Sequence, residues 1–201
     1  MSSCNEYAFK FLEKWPFAIR ENFVCLVGEK GSGKTHLATM WATRLSADIL
    51  SLRRDNIVSG WFDLTSGSSQ KFYVLDDADE LGDDMLMFYI YNTIKSKNAF
   101  LLMTSKTYPN SWPVKLHDVK SRISTMSVVR IQKPDEIAAP LIIEKMLQQR
   151  GLSVCGEVVQ YILNRIDRSY ESINHWVSII DSKLVGRKMK VSLALVRSIL
   201  R

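Results

Sequence analysis

The chain has 201 residues, a formal net charge of +6, 46% hydrophobic residues and 24% charged residues, the composition of an ordinary globular protein. No apolar run approaches the about 20 residues that span a bilayer, and residues 1–6 show neither a basic n-region nor an apolar h-region, so neither a membrane span nor a secretory leader is expected. Cys4, Cys25 and Cys155 are odd in number and scattered, which argues against a disulfide framework or a zinc site and for a reducing cytoplasm.

That length accommodates one large domain, or a medium domain with a small companion. Cys25 and Cys155 read as small apolar residues on buried faces. The basic residues are dispersed, with short clusters at Arg53-Arg54 and at Arg187, Lys188 and Lys190. They read as solvated surface charge rather than a nucleic-acid groove. No zinc-finger spacing, basic zipper or helix-turn-helix signal is present.

In chain order, residues 5–14 read as a helix, with Tyr7, Ala8, Phe11 and Leu12 at helical spacing and Trp15-Pro16 as its end. The apolar, β-branched run 23–27 reads as a buried strand. It leads into Gly28-Glu29-Lys30-Gly31-Ser32-Gly33-Lys34-Thr35, a complete G-x-x-x-x-G-K-[ST] loop, and a helix continues from Thr35-His36 to about residue 45. Strand, glycine loop and helix are the context this motif needs. Gly28, Gly31 and Gly33 let backbone N–H groups turn inward around the α/β-phosphates of a nucleotide. Lys34 then reaches the β/γ-phosphates, and Thr35 offers its hydroxyl to Mg²⁺. Ser32 and His36 belong to the same binding segment, whose helix N-terminus adds its dipole.

Residues 47–52 read as a second strand, and the polar stretch 53–70, including Trp61, as a loop. The third strand, 71–75, ends in Asp76-Asp77. An apolar strand that delivers an acid at its C-terminal end, about forty residues after such a loop, is the Walker B pattern. Asp76 is placed to hold Mg²⁺ and Asp77 to orient an attacking water. Asp79 and Glu80 read as the acidic first turn of the next helix. Residues 84–95 read as a helix, with Met85, Phe88, Tyr89 and Ile94 as its expected buried side. Residues 99–104 and 128–131 read as the fourth and fifth strands. Alternating strands and helices imply a parallel sheet with helices on both faces.

After Lys133-Pro134 the strand signals stop, and 135–149, about 154–167, about 170–184 and about 191–200 read as helices. The expected fold is therefore α/β: a P-loop parallel sheet over residues 1–133, followed by a small all-α lid domain over 134–201. Trp15, Trp41, Trp112 and Trp176 read as packing residues. His36, His117 and His175 lack metal-ligand partners at useful spacing.

With these motifs placed, the chain resembles the AAA+ domain of the DnaA family of replication initiators, and within it the Hda-type regulators of alphaproteobacteria. The resemblance rests on Asn5 and Ala8, GEKGSGKTHLA at 28–38, VLDDADEL at 74–81, LLMTSKTYP at 101–109, SWPVKL at 111–116, KSRI at 120–123 and KPDE at 133–136. It covers essentially the whole chain. It implies bound ADP or ATP with Mg²⁺, a cytoplasmic location, and a negative regulator of replication initiation that promotes hydrolysis of DnaA-bound ATP. Ser121-Arg122 matches the segment that carries the family's arginine finger, so Arg122 would reach a γ-phosphate held by a neighbouring subunit.

Two positions depart from DnaA. Lys106 stands where DnaA has Asp, and Glu171 takes the place of the sensor-2 arginine, with Arg168 one turn earlier. An anion at that place would repel a γ-phosphate, so hydrolysis by the chain itself is expected to be weak. The resemblance implies the DnaA initiator, the DNA-loaded sliding clamp and a homodimer as partners. Residues 1–12 contain no Gln- and Leu-rich clamp-docking peptide, and no sequence-specific DNA-binding domain is expected in the chain. The alternative is an ATPase of the helicase-loader type, which shares the P-loop and the finger. A loader would need a helicase-binding domain and working sensors.

Overall fold

The computed structural model describes residues 3–50, 71–184 and 190–199. The stretch 53–70 with Arg53, Arg54 and Trp61, and the basic cluster at Arg187 and Lys188, lie outside the described residues. Internal contacts divide the chain into two units. One comprises Tyr7–Gly28 and Gly33–Ile131; the other comprises Met1–Glu6, Glu29–Ser32 and Gln132–Arg201.

Among the described residues, the first unit is built on five parallel strands: β1 (Phe23–Val27), β2 (Asp48–Leu50), β3 (Phe72–Leu75), β4 (Phe100–Ser105) and β5 (Ser127–Arg130). Their order is β2-β3-β4-β1-β5, and every pairing is parallel. Side chains alternate between the two faces, as the two-residue strand period requires. Phe23, Cys25, Val27, Tyr73, Leu75, Leu101 and Met103 pack with α3 (Asp84–Ser96) and α4 (His117–Ser124) in one buried cluster. The intervening Val24, Leu26, Val74 and Leu102 are also buried. The helix α2 (Lys34–Leu45) lies against β3 and β4 and buries Leu37, Ala38, Trp41 and Ala42. Burial on both faces explains why β1 and β4 read as nearly continuous apolar runs.

Trp15 is fully buried and stacks on Trp41 at 4.7 Å. Near the end of α2, Arg44 donates to the carbonyls of Leu12 (2.7 Å), Glu13 (3.1 Å) and Trp15 (3.2 Å). It thereby satisfies the open C-terminal carbonyls of α1 (Ser3–Lys14). At α3 the Asp83 carboxylate accepts from the Leu86 N–H and caps the helix. The buried side of α3 is Leu86, Met87, Ile90 and Ile94, while Met85 is 65% exposed. This corrects the expected phase. Eight of its thirteen residues are large apolar or aromatic, and the sequence pattern alone does not choose among overlapping stripes.

The second unit contains α5 (Ala138–Gln149), α6 (Gly156–Leu163), α7 (Tyr170–Lys183) and α8 (Leu193–Ile199). Ile143, Leu147, Val159, Ile162, Ile173, Val177, Ile180 and Val196 form its core. Asp135 caps the start of α5 through the N–H groups of Ile137 and Ala138. A parallel pair, β6 (Ser153–Val154) with β7 (Lys190–Val191), joins the helices. Strands of two residues carry no periodicity and are invisible in the sequence.

Cys25 lies in the sheet core, and burial, with a smaller contribution from the Asp79 charge, pushes its thiol up to about 12. Such a thiol is inert. Cys155 is exposed rather than buried. Among the described residues no helix is long and apolar enough to cross a membrane.

Candidate functional site

Parallel register aligns the C-terminal ends of three adjacent strands. Leu75 pairs with Met103, and Leu26 and Val27 pair with Thr104 and Ser105. The next residues along are Asp76 on β3 and Gly28 on β1, and the Gly28 N–H donates to the Ser105 carbonyl at 3.1 Å. Ligand sites in open α/β sheets form at this edge.

From Gly28 the chain turns through Gly31 (φ 80°) and Gly33 (φ 91°), left-handed values that glycine adopts without a Cβ penalty. The Ser32 N–H closes a turn on the Glu29 carbonyl. α2 then begins at Lys34, with no side-chain cap and no acid in its first turn. Its open N–H groups and positive dipole end are left for an anion. Ser32, on the loop, is buried, and its Oγ has no hydrogen-bond partner among the described residues. A molecule with several acceptor oxygens fits the open N–H groups of α2.

Lys34 is only 6% exposed, and its Nζ donates to the Gly28 carbonyl at 2.9 Å. Burial pulls its pKa down, while the charges of Asp77 and Asp79 oppose that shift. An ammonium held under this desolvation penalty gains from any anion brought to it. Thr35 Oγ1 donates to Asp76 Oδ2 at 2.9 Å, and Thr104 Oγ1 donates to the other oxygen of Asp76. Thr104 also accepts from the Asp77 N–H at 2.9 Å. Asp77 reaches it from a left-handed backbone (φ 49°). Burial first, and then the Asp76 charge, raise the Asp77 pKa. Among the described residues no three His, Cys, Asp or Glu gather into a metal cluster. Thr35 and Asp76 offer two oxygen ligands, a set suited to a hard cation that completes its shell with water and phosphate.

Thr104 was missed in the sequence. Its signal was a hydroxyl ending an otherwise apolar strand, and it is fully buried there. Asp79 and Glu80 form the expected acidic first turn, here a single 3₁₀ turn with Ala78, and both also engage the loop after β4. Asp79 accepts from the Lys106 N–H at 3.0 Å, and Glu80 pairs with the Lys106 ammonium. That hydrogen bond is the main cause of a raised Lys106 pKa. Trp112 steadies the same loop, donating to Ser105 Oγ and to the Thr107 carbonyl.

Within the second unit, Glu171 at the start of α7 pairs with Lys30 of the glycine loop at 3.3 Å. Arg168 is engaged with Glu136 at 2.8 Å. The carboxylate of Glu171 therefore acts first on a loop lysine. Both partners are well exposed, so the pair adds little to stability. A Cβ placed on Gly31 would sit 2.5 Å from Asn174 Nδ2, also on α7.

The structure thus joins Gly28, Lys34, Thr35, Asp76 and Asp77 through Thr104 and the strand register. His36 is exposed on the first turn of α2 and has no side-chain partner among the described residues. Arg122 joins none of them. It lies on α4, paired with Asp118 at 2.9 Å and bonded to Asn92 of α3.

No family model matches the chain. In sequence it is similar to the chromosomal replication initiator protein DnaA of Campylobacter jejuni, 22% identical over 197 residues that cover 90% of this chain and 45% of DnaA. The chain therefore spans about half the length of that relative. In structure it is similar to domain III of the Thermotoga maritima replication initiation protein DnaA, with TM-score 0.74 and 17% identity, covering 100% of this chain and 92% of that one. It is also similar to a replication initiator DnaA bound to AMPPCP and single-stranded DNA, with TM-score 0.72 and 20% identity, covering 99% and 66%. The fold is that of DnaA domain III, a parallel five-stranded AAA+ sheet with its helices.

Asp77→Asn is expected to stabilise the protein at neutral pH. A carboxyl whose folded pKa is raised binds its proton more tightly when folded, so stability falls as pH rises from the ordinary value of 3.8 through the folded one. Asn removes that loss and tolerates the left-handed backbone. Thermal melts against pH check this: the gain at pH 7 should vanish below pH 3.8. Gly31→Ala is expected to lower unfolding free energy by about 1–2 kcal/mol in urea titration, because its φ is left-handed. Asn174→Ala added to it should return only the steric part.

Proposed function

We propose that this chain is an Hda-type, DnaA-related regulator. It binds ADP or ATP with Mg²⁺ at the glycine loop and promotes hydrolysis of ATP held by the DnaA initiator. Such hydrolysis lowers the active initiator pool and restrains new rounds of chromosome replication.

The observation that carries this reading is the separation of Arg122 from an otherwise complete phosphate and cation site. Thr35 and Thr104 are both hydrogen-bonded to Asp76, and Lys34 to the Gly28 carbonyl, whereas among the described residues Arg122 is bonded only on α3 and α4. An arginine with no place in its own site can serve a phosphate held by a neighbour, where it stabilises charge developing on the transferred group.

The chain's own residues divide the binding work. Lys34 and the N–H groups at the start of α2 hold phosphate oxygens. Thr35 and Asp76 hold the cation, and Thr104 fixes the carboxylate that does so. The bound nucleotide with its Mg²⁺ supplies the negative charge that offsets burial of Lys34. AMPPCP bound to a structurally similar DnaA supports adenine nucleotide as the ligand. Both departures from DnaA carry a local partner: Lys106 is tied to Glu80 and Glu171 to Lys30. Groups occupied in this way contribute little to turnover in cis, so the nucleotide serves structure. A cytoplasmic location, docking on the DNA-loaded clamp and self-association belong to the same reading.

The test is single-turnover hydrolysis of DnaA-bound ATP with DNA-loaded clamp present. Wild type is expected to accelerate it, and Arg122→Ala to lose about a thousandfold or more of that acceleration, the scale of an arginine finger. Equal acceleration by both proteins would remove Arg122 from the role. ATP turnover by the chain alone, with no effect on DnaA, would sink the regulatory reading.

A further inference from the structure

Arg122 is held by four groups. Its Nη1 donates to the Asn92 side-chain oxygen, and its Nη2 pairs with Asp118 Oδ2 at 2.9 Å. Its guanidinium carbon lies 5.0 Å from the Phe88 ring centre and 5.3 Å from that of Tyr91. Tyr91 in turn stacks on Phe23 of β1 at 4.2 Å with the planes 6° apart. The arginine therefore rests on an aromatic platform anchored in the sheet. The side chain of Arg122 remains 29% exposed, and three of its five N–H groups have no partner among the described residues.

These contacts do unequal work. Asp118 is 63% exposed and one helical turn away on the same helix, a kind of ion pair that is weak and screened by salt. Asn92 comes from a different helix, 30 residues distant in sequence, and fixes the guanidinium plane relative to the sheet. It is also neutral. A carboxylate at that place would join Asp118 in cancelling the charge that a phosphate needs to meet; a carboxamide oxygen orients the cation and leaves its charge in place.

We propose that Asn92 is a positioning residue for Arg122. With Phe88 and Tyr91, it pre-orders the guanidinium so that the remaining N–H groups serve an oxyanion on a second protein molecule. This rests on the reading of Arg122 as a trans-acting arginine. Ordering a long side chain before encounter removes an entropy cost from the transition state.

Two readouts on the same proteins test it. The first is NMR of the Arg122 side-chain nitrogens in the isolated protein, where a pinned guanidinium gives separate, slowly rotating Nη signals. Wild type and Asn92→Asp should show them, and Asn92→Ala should show averaged signals. The second is hydrolysis of DnaA-bound ATP titrated with each protein. Asn92→Ala should lower the maximal rate about tenfold with the half-saturating concentration unchanged. Asn92→Asp should lower it too while Arg122 stays pinned, because the added carboxylate cancels charge. Pinned signals persisting in Asn92→Ala would overturn the proposal, as would a loss confined to half-saturation. If wild type fails to accelerate hydrolysis, the regulatory reading falls, and the NMR comparison alone decides whether Asn92 positions Arg122.

Discussion

Asp76 accepts a hydrogen bond on each carboxylate oxygen, from Thr35 on one side and Thr104 on the other. That bridge ties the start of α2 to the ends of β3 and β4, and it exists only because the strands run parallel in one register. A slip of one residue would turn Thr104 to the opposite face and send Asp76 away from the loop. The apolar alternation that fills both faces of the sheet specifies the register. The same burial that stabilises the core therefore sets the geometry of the site.

Electrostatics at this edge are strained in a consistent direction. The Lys34 pKa is pulled down and the Asp77 pKa is raised, each chiefly by burial. On the glycine loop, Ser32 keeps a buried hydroxyl without a partner among the described residues. Groups that are costly in the protein alone and that improve with a multivalent anion and a cation mark a binding site more firmly than shape does. By contrast, Lys106 and Glu171 are matched with opposite charges close by.

The glycine loop, the double aspartate and the strand–helix alternation were legible because each leaves a dense local signal: fixed glycine spacing, an acid after an apolar run, a change of period. The five-stranded parallel sheet followed from them. What stayed hidden depends on contacts between distant segments. Thr104 looks like any strand-end hydroxyl until register sets it beside Asp76. Glu80 looks like a helix-start acid until the loop after β4 brings Lys106 to it. Glu171 reads as repulsive until Lys30 is found opposite. The buried side of α3 was misread because too many of its residues are apolar. The cluster around Arg122 joins two helices whose packing no local pattern encodes.

Nucleotide binding at the glycine loop is the claim on which the rest depends. Calorimetric titration of ADP, with and without Mg²⁺, into wild type and Lys34→Ala tests it most directly. Wild type is expected to bind, more tightly with Mg²⁺, and Lys34→Ala to show no binding while its helical circular dichroism is unchanged. Equal ADP affinity in the two proteins would contradict a nucleotide site at this loop.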